Sequence, residues 1–258
     1  MGYTTIQVIP GEKSIELVLN RPEVLNALNI PMLKEIAKAL TEEILPAESD
    51  ILILRGKGKA FCAGADLNER KSGLSLETYL TERVLTLQKI ASSLRNTNKL
   101  IIAALHGYVI GGGLILSLFA DFRVAAEGTI FQLPEIDVGT TILCGGYKLL
   151  VETVGLSKAK ELLFFGQSFD ALEAEKIGLV QKVVNPNQLQ SFVSSWVNKL
   201  AAKPSITKQL MKQAITATVD YNFDQMIMIE ILHAIENHKK IMEGGSDAVR
   251  KKAKTCDS

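Results

Sequence analysis

The sequence predicts an α/β fold, and three observations lead to it. Two short apolar runs, residues 51–55 (ILILR) and 100–105 (LIIAAL), have the length and composition of buried strands. Each leads into a stretch rich in small residues, GKGKAFCAGADL at 56–67 and GYVIGGG at 107–113. Between and after these units lie segments with apolar residues at helical spacing. Repetition of strand, loop and helix is the pattern of an α/β core, although the turns do not follow simple strand–helix alternation.

In chain order, residues 4–9 and 14–19 alternate around PGEK and predict a β-hairpin. Residues 20–29 read as a loop. Pro31 at a helix start precedes MLKEIAKALTEEIL, an amphipathic helix. Residues 75–95 predict a long helix that begins near Ser75, with an apolar stripe of Leu80, Val84, Leu87, Ile90 and Leu94. After the strand at 100–105 and the loop at 107–113, LILSLFAD (114–121) has the length of a short buried helix. Residues 121–125 read as a further strand and 142–154 as a helix. From Pro186 onward the pattern is helical, at 186–202, 205–219 and 223–241, with Lys203-Pro204-Ser205 as a break. This divides the chain into a core, residues 1–185, and a helical C-terminal region, residues 186–258.

The chain has 258 residues and a formal net charge of +1, so it lacks the basic excess of a nucleic-acid binder. No apolar run reaches membrane-spanning length. Cys62, Cys144 and Cys256 show no metal spacing, and so sparse a count suits a reducing compartment. With neither signal-peptide nor transit-peptide character at the start, the expectation is a cytoplasmic protein. Gly111–Gly113 lacks the spacing of a dinucleotide fingerprint, and no phosphate-binding P-loop occurs.

The glycines bear on chemistry. Lacking Cβ atoms, Gly111, Gly112 and Gly113 let a ligand approach the backbone. Free N–H groups where the following helix begins suit an oxygen that becomes negative during reaction. Two strand-to-loop units could each supply one N–H to the same oxygen.

AFCAGADL (60–67), HGYVIGGG (106–113) and FQLPEIDVG (131–139) together resemble the crotonase, or enoyl-CoA hydratase/isomerase, superfamily. NRPEVLNALN (20–29) and ALEAEKIGLV (171–180) match as well, and the resemblance extends over roughly residues 5–245 in the family's order. It implies a spiral of ββα turns and a helical C-terminal region that assembles a homotrimer or hexamer. It further implies an acyl-CoA substrate, with no metal and no cofactor beyond the CoA of the substrate.

Carried over residue by residue, the resemblance puts the two oxyanion donors on the amides of Ala65 and Gly112, and the catalytic carboxylate on Glu135. The apolar neighbours Phe131, Leu133, Ile136 and Val138 suit a desolvated base. Ala27, Ala63, Asp66 and Leu67 fall where the family holds CoA, with Lys57, Lys59 and Arg70 as candidates for phosphate contacts. His106 is expected to be a satisfied core histidine; His233 and His238 are expected to be solvated. Hydratases of the family carry a second glutamate two residues after the third glycine; here that position is Ile115. Their GxxPGxGG loop is here GTTILCGG (139–146), which makes Cys144 a packing residue of a more apolar pocket wall. One carboxylate facing an apolar wall suits a proton shuttle between two carbons. The expected activity is therefore isomerisation of a 3-enoyl-CoA to a 2-enoyl-CoA. The alternatives are hydration of a 2-enoyl-CoA, decarboxylation or dehydration of a carrier-bound acyl group, and non-catalytic binding of CoA or a partner.

Overall fold

A computed structural model describes residues 2–71, 73 and 75–244. Cys256 and the side chain of Arg70, both named above, lie outside what is described. The predicted hairpin forms as β1 (Ile6–Pro10) and β2 (Ile15–Leu19), paired antiparallel. Helix α1 (Ile30–Ala39) follows. Its N-cap is Asn29, whose side chain accepts from the Met32 amide at 3.0 Å. Strand β3 (Ile51–Gly56) then pairs parallel to β2.

Residues 75–95 are not one regular helix. After α2 (Leu67–Lys71), the short α3 (Leu76–Thr78) passes through π turns at Tyr79–Val84 into α4 (Leu85–Arg95). The Ser75 hydroxyl accepts from the Thr78 amide at 3.1 Å, so the predicted start holds.

Strand β4 (Leu100–Leu105) pairs parallel to β3, and β5 (Tyr108–Ile110) begins three residues later. The stretch read as a loop therefore contains a strand. Helix α5 (Gly112–Leu118), β6 (Phe122–Ala126) and β7 (Ile130–Gln132) come next. Helix α6 (Gly146–Val154) starts four residues later than its apolar pattern predicts. Cys144 and Gly145 both have left-handed backbone, φ 62° and 71°, which cannot continue into an α-helix from further upstream. Then come α7 (Leu156–Phe165), β8 (Phe169–Asp170), α8 (Ala171–Lys176) and β9 (Lys182–Val184). Three further helices close the described chain: α9 (Leu189–Ala201), α10 (Ser205–Ala217) and α11 (Phe223–Gly244).

The main sheet runs β1-β2-β3-β4-β6-β9, parallel except for the first pair; a small second sheet runs β5-β7-β8. Strands β4 and β6 each hand the chain on to a strand of the small sheet, β5 and β7, before a helix. Cys62, after β3, makes a parallel bridge to Val109 of β5. These are the ββα turns of a crotonase spiral. Both faces of the main sheet are buried, which is why its central strands read as unbroken apolar runs. Leu52, Leu54, Ile101, Ala103 and Leu105 face α1 and α4 in one core cluster. Ile51, Ile53, Ile102, Ala104 and Val124 face the other way, packed with Leu189, Val193 and Val197 of α9. Helix α9 thus packs on the second face of the sheet, over β3, β4 and β6.

Candidate active site

The two glycine loops are zipped together because the strands feeding them are neighbours. The Phe61 amide donates to the His106 carbonyl at 2.8 Å, Cys62 N to Tyr108 O at 3.0 Å, and Ile110 N to Cys62 O at 3.0 Å. The segments run parallel until they part at Ala65 and Gly112. A Cβ added at Gly64 would lie 3.6 Å from the Gly112 nitrogen, so the two loops remain adjacent at that point. Ala65 and Gly112 line one cavity. Among the described residues neither amide has a hydrogen-bond acceptor.

Glycine is required around this point for steric reasons. Gly111 has φ 49°, and a Cβ there would sit 2.9 Å from the Glu135 carboxylate. A Cβ on Gly113 would meet the Cys62 carbonyl at 2.6 Å. Both glycines therefore permit close packing, one against the carboxylate and the other against the facing loop.

Glu135 reaches the same cavity from β7. Phe131, fully buried, stacks on Phe169 at 5.6 Å, and the Gly111 amide donates to Gln132 O at 2.8 Å. Leu133 is buried, and a turn closed by Asp137 N and Val138 N on Pro134 O presents the glutamate. Its Oε2 is buried with no hydrogen-bond partner among the described residues. Burial raises its pKa above the ordinary carboxylate range, opposed in part by a hydrogen bond to its own backbone. A carboxylate in this state is poorly solvated and holds a proton more readily than an exposed one.

The cavity holds about 110 Å³ and is otherwise largely apolar, with Leu28, Leu33, Ile36, Ile90, Leu116, Phe119 and Ile142 among its lining. Ile115 and Cys144 line it too. Burial pushes the Cys144 thiol up to about 11, which disfavours its thiolate.

Of the residues expected at the CoA arm, Ala27, Ala63, Asp66 and Leu67 lie outside this cavity. Asp66 is an anchor: its carboxylate takes Arg21 Nη1 at 2.9 Å, and the same nitrogen donates to the Ala27 carbonyl at 2.6 Å. The Ala63 amide is bound to Leu25 O at 2.9 Å. Leu67 is exposed. His106 Nε2 donates to the Gly58 carbonyl at 3.0 Å, as a satisfied histidine would. His233, expected to be solvated, instead buries its Nδ1 without a partner among the described residues.

Two residues escaped the sequence reading. Asn26, fully buried at φ 58°, donates to Lys57 O at 2.9 Å and Ala60 O at 2.8 Å, and accepts from Arg21 N at 2.8 Å. It holds the 20–29 loop against the loop that carries Ala65. Arg83 lines the cavity while 6% exposed. The apolar stripe of the sequence runs through its neighbour Val84, so the pattern gave no signal for it.

Comparison with known proteins identifies the family. The family model for enoyl-CoA hydratase/isomerase matches residues 12–254. A short-chain-enoyl-CoA hydratase of Clostridium acetobutylicum is 35% identical over 225 residues, 86% of this chain and 85% of the relative. A crotonyl-CoA hydratase of Syntrophomonas wolfei is 35% identical over 231 residues, 89% of this chain and 88% of the relative. The crystal structure of an enoyl-CoA hydratase from Bacillus anthracis superposes with a TM-score of 0.89 at 31% identity, covering 96% of this chain and 97% of that one.

Proposed function

The chain belongs to the enoyl-CoA hydratase/isomerase family, and from that premise we propose that it shifts the double bond of a 3-enoyl-CoA into conjugation with the thioester. One observation carries this reading. Among the described residues lining the cavity, Glu135 is the only carboxylate, and the position that would hold a second is Ile115. Glu135 removes a proton from C2 of the substrate. The electron pair moves into a dienolate whose oxygen takes the amides of Ala65 and Gly112. Protonated Glu135 returns the proton at C4, and the thioester re-forms with its double bond between C2 and C3. Each amide is worth about 3 kcal/mol of transition-state stabilisation, by analogy with single-donor deletions elsewhere. The reaction is redox-neutral and uses nothing beyond the CoA of the substrate. The rim formed by Ala27, Ala63, Asp66 and Leu67 receives the CoA arm, with Asp66 serving through Arg21 to hold the loop. The assembly is a homotrimer or hexamer.

The names of the relatives favour a second reading, hydration of a 2-enoyl-CoA. Adding water across a double bond requires placing the water and moving protons at two carbons, which one carboxylate does less well than two. Incubation with 3-hexenoyl-CoA and crotonyl-CoA, with products separated by chromatography, decides between them. The expected result is 2-hexenoyl-CoA from the first and little 3-hydroxybutyryl-CoA from the second. Hydration of crotonyl-CoA at roughly 10²–10³ per second would replace isomerase with hydratase.

A further inference from the structure

Arg83 is a feature that a cavity for a plain hydrocarbon chain does not need. It stands on the π turns before α4, its side chain 7% exposed, among Leu28, Leu87 and Ile90. Burying a guanidinium carries a large desolvation penalty, and an apolar residue of similar size would fill the wall at lower cost. Both of its hydrogen bonds leave from one nitrogen: Nη1 donates to Leu28 O at 3.1 Å and to Glu69 Oε2 at 3.0 Å. Glu69 is fixed independently, since its other oxygen accepts the Ile30 amide at 2.7 Å. The Tyr79 ring, 6.0 Å from the guanidinium carbon, supports the plane. The pair Nε and Nη2, the edge that grips a carboxylate with two parallel bonds, is left without a protein acceptor among the described residues. An aliphatic chain would strip water from those N–H groups and give nothing in return.

We propose that Arg83 binds a carboxylate carried by the acyl group, so that the substrates are thioesters of short dicarboxylic acids. The proposal rests on the thioester reading above. Arg83 is tied to the carbonyl of Leu28, and Leu28 is bridged to Ala65. The cation therefore stands close to the amide pair, not at the remote end of a long tunnel, which favours an acid of about five carbons. One end of the acyl group is held at Ala65 and Gly112, the other at Arg83, with Glu135 between the walls. Glu69 keeps the guanidinium in place but occupies only its Nη1 side.

The test is a matched pair of unreactive ligands, glutaryl-CoA and 4-methylpentanoyl-CoA, in which an isopropyl group replaces the carboxylate at nearly the same shape. Affinities are measured by titration calorimetry on the native oligomer, on Arg83→Met and on Arg83→Lys. Native protein is expected to bind glutaryl-CoA about tenfold or more tighter, the range of a charge-assisted hydrogen-bond pair. Arg83→Met should reverse the order, and Arg83→Lys should keep part of the preference. Equal affinities in the native protein, or a preference for the neutral ligand, overturn the proposal. So does an Arg83→Met variant that weakens both ligands in the same proportion, which would make Arg83 a clamp for Leu28 alone. If Arg83→Met does not fold, the native ratio and Arg83→Lys still decide. Turnover is scored separately, on 4-carboxybut-3-enoyl-CoA, a dicarboxylic 3-enoyl thioester, beside 3-hexenoyl-CoA and crotonyl-CoA. A native preference for glutaryl-CoA without turnover of any thioester refutes the proposed activity and leaves Arg83 assigned. Turnover with no preference does the reverse.

Discussion

Glu135 is held in a state that favours reactivity over stability. Its pKa is raised by burial, so between the ordinary carboxylate value of 4.5 and its raised folded value the native state binds the proton more tightly than the unfolded chain does. Stability from this group is therefore present below the unfolded pKa and is lost as pH rises through the folded one. Glu135→Gln removes that loss. The variant is expected to melt at a higher temperature than native protein at pH 7, the gap closing at pH 4 in parallel thermal scans. The same change removes the base, and isomerisation should fall by about 10²–10⁴-fold. Full activity in Glu135→Gln on every substrate would place the base elsewhere. Ile115→Glu tests the opposing wall. It should raise hydration of crotonyl-CoA relative to isomerisation and lower the melting temperature, because the new carboxylate is buried unpaired. A variant with no added hydration would show that Ile115 does not face the reacting carbons.

At the scale of elements, the loops are aligned by a few buried polar contacts that hydrophobic patterning does not report. Asn26 is the main one. It sits in left-handed backbone, where asparagine is tolerated and alanine is strained, and it joins three backbone groups. Asn26→Ala is expected to cost about 2–4 kcal/mol in denaturant unfolding, from unsatisfied carbonyls and backbone strain together. Asn26→Gly removes the strain and should recover part of the loss; an Ala variant as stable as native would show that the carbonyls find water. Patterning did show β3, β4 and the hairpin, because runs buried on both faces or alternating on one are legible locally. It missed β5, which is three residues long and pairs with a strand that begins twenty residues on. It also smoothed residues 75–95 into one helix, since π turns keep the same apolar face while shifting its register. Glu135, Ala65 and Gly112 were legible because their loops carry motifs, and the structure brings all three to one cavity. Arg83 was overlooked because the apolar stripe runs through its neighbour Val84.

At the scale of the whole molecule, the C-terminal helices have an anchored side and an uncovered one. Helix α10 is tied to the sheet end by Lys212, which donates to Lys99 O at 2.7 Å and meets Asp121 at 2.8 Å, and by Lys208, 2.8 Å from Asp50. Helix α11 is joined to it through Thr207 and Asn237 at 2.9 Å. The opposite side exposes Met211 and Ile215 on α10 and Phe223, Met228, Ile231 and Leu232 on α11. Phe164 and Phe165 at the end of α7 are exposed as well, at 70% and 66%. Scattered apolar residues are ordinary on a monomer, but a run of this kind along two adjacent helices is the surface that the proposed trimer would cover. Closed rings of identical subunits cover such surfaces without leaving a free end. Light scattering at micromolar concentration is expected to give three or six times the 28.2 kDa chain mass. Ile231→Glu with Leu232→Glu places two charges on that surface and should shift the mass toward one chain. A monomeric mass for native protein would remove the trimer, and an unchanged oligomer in the double variant would move the interface to the Phe164–Phe165 end of α7.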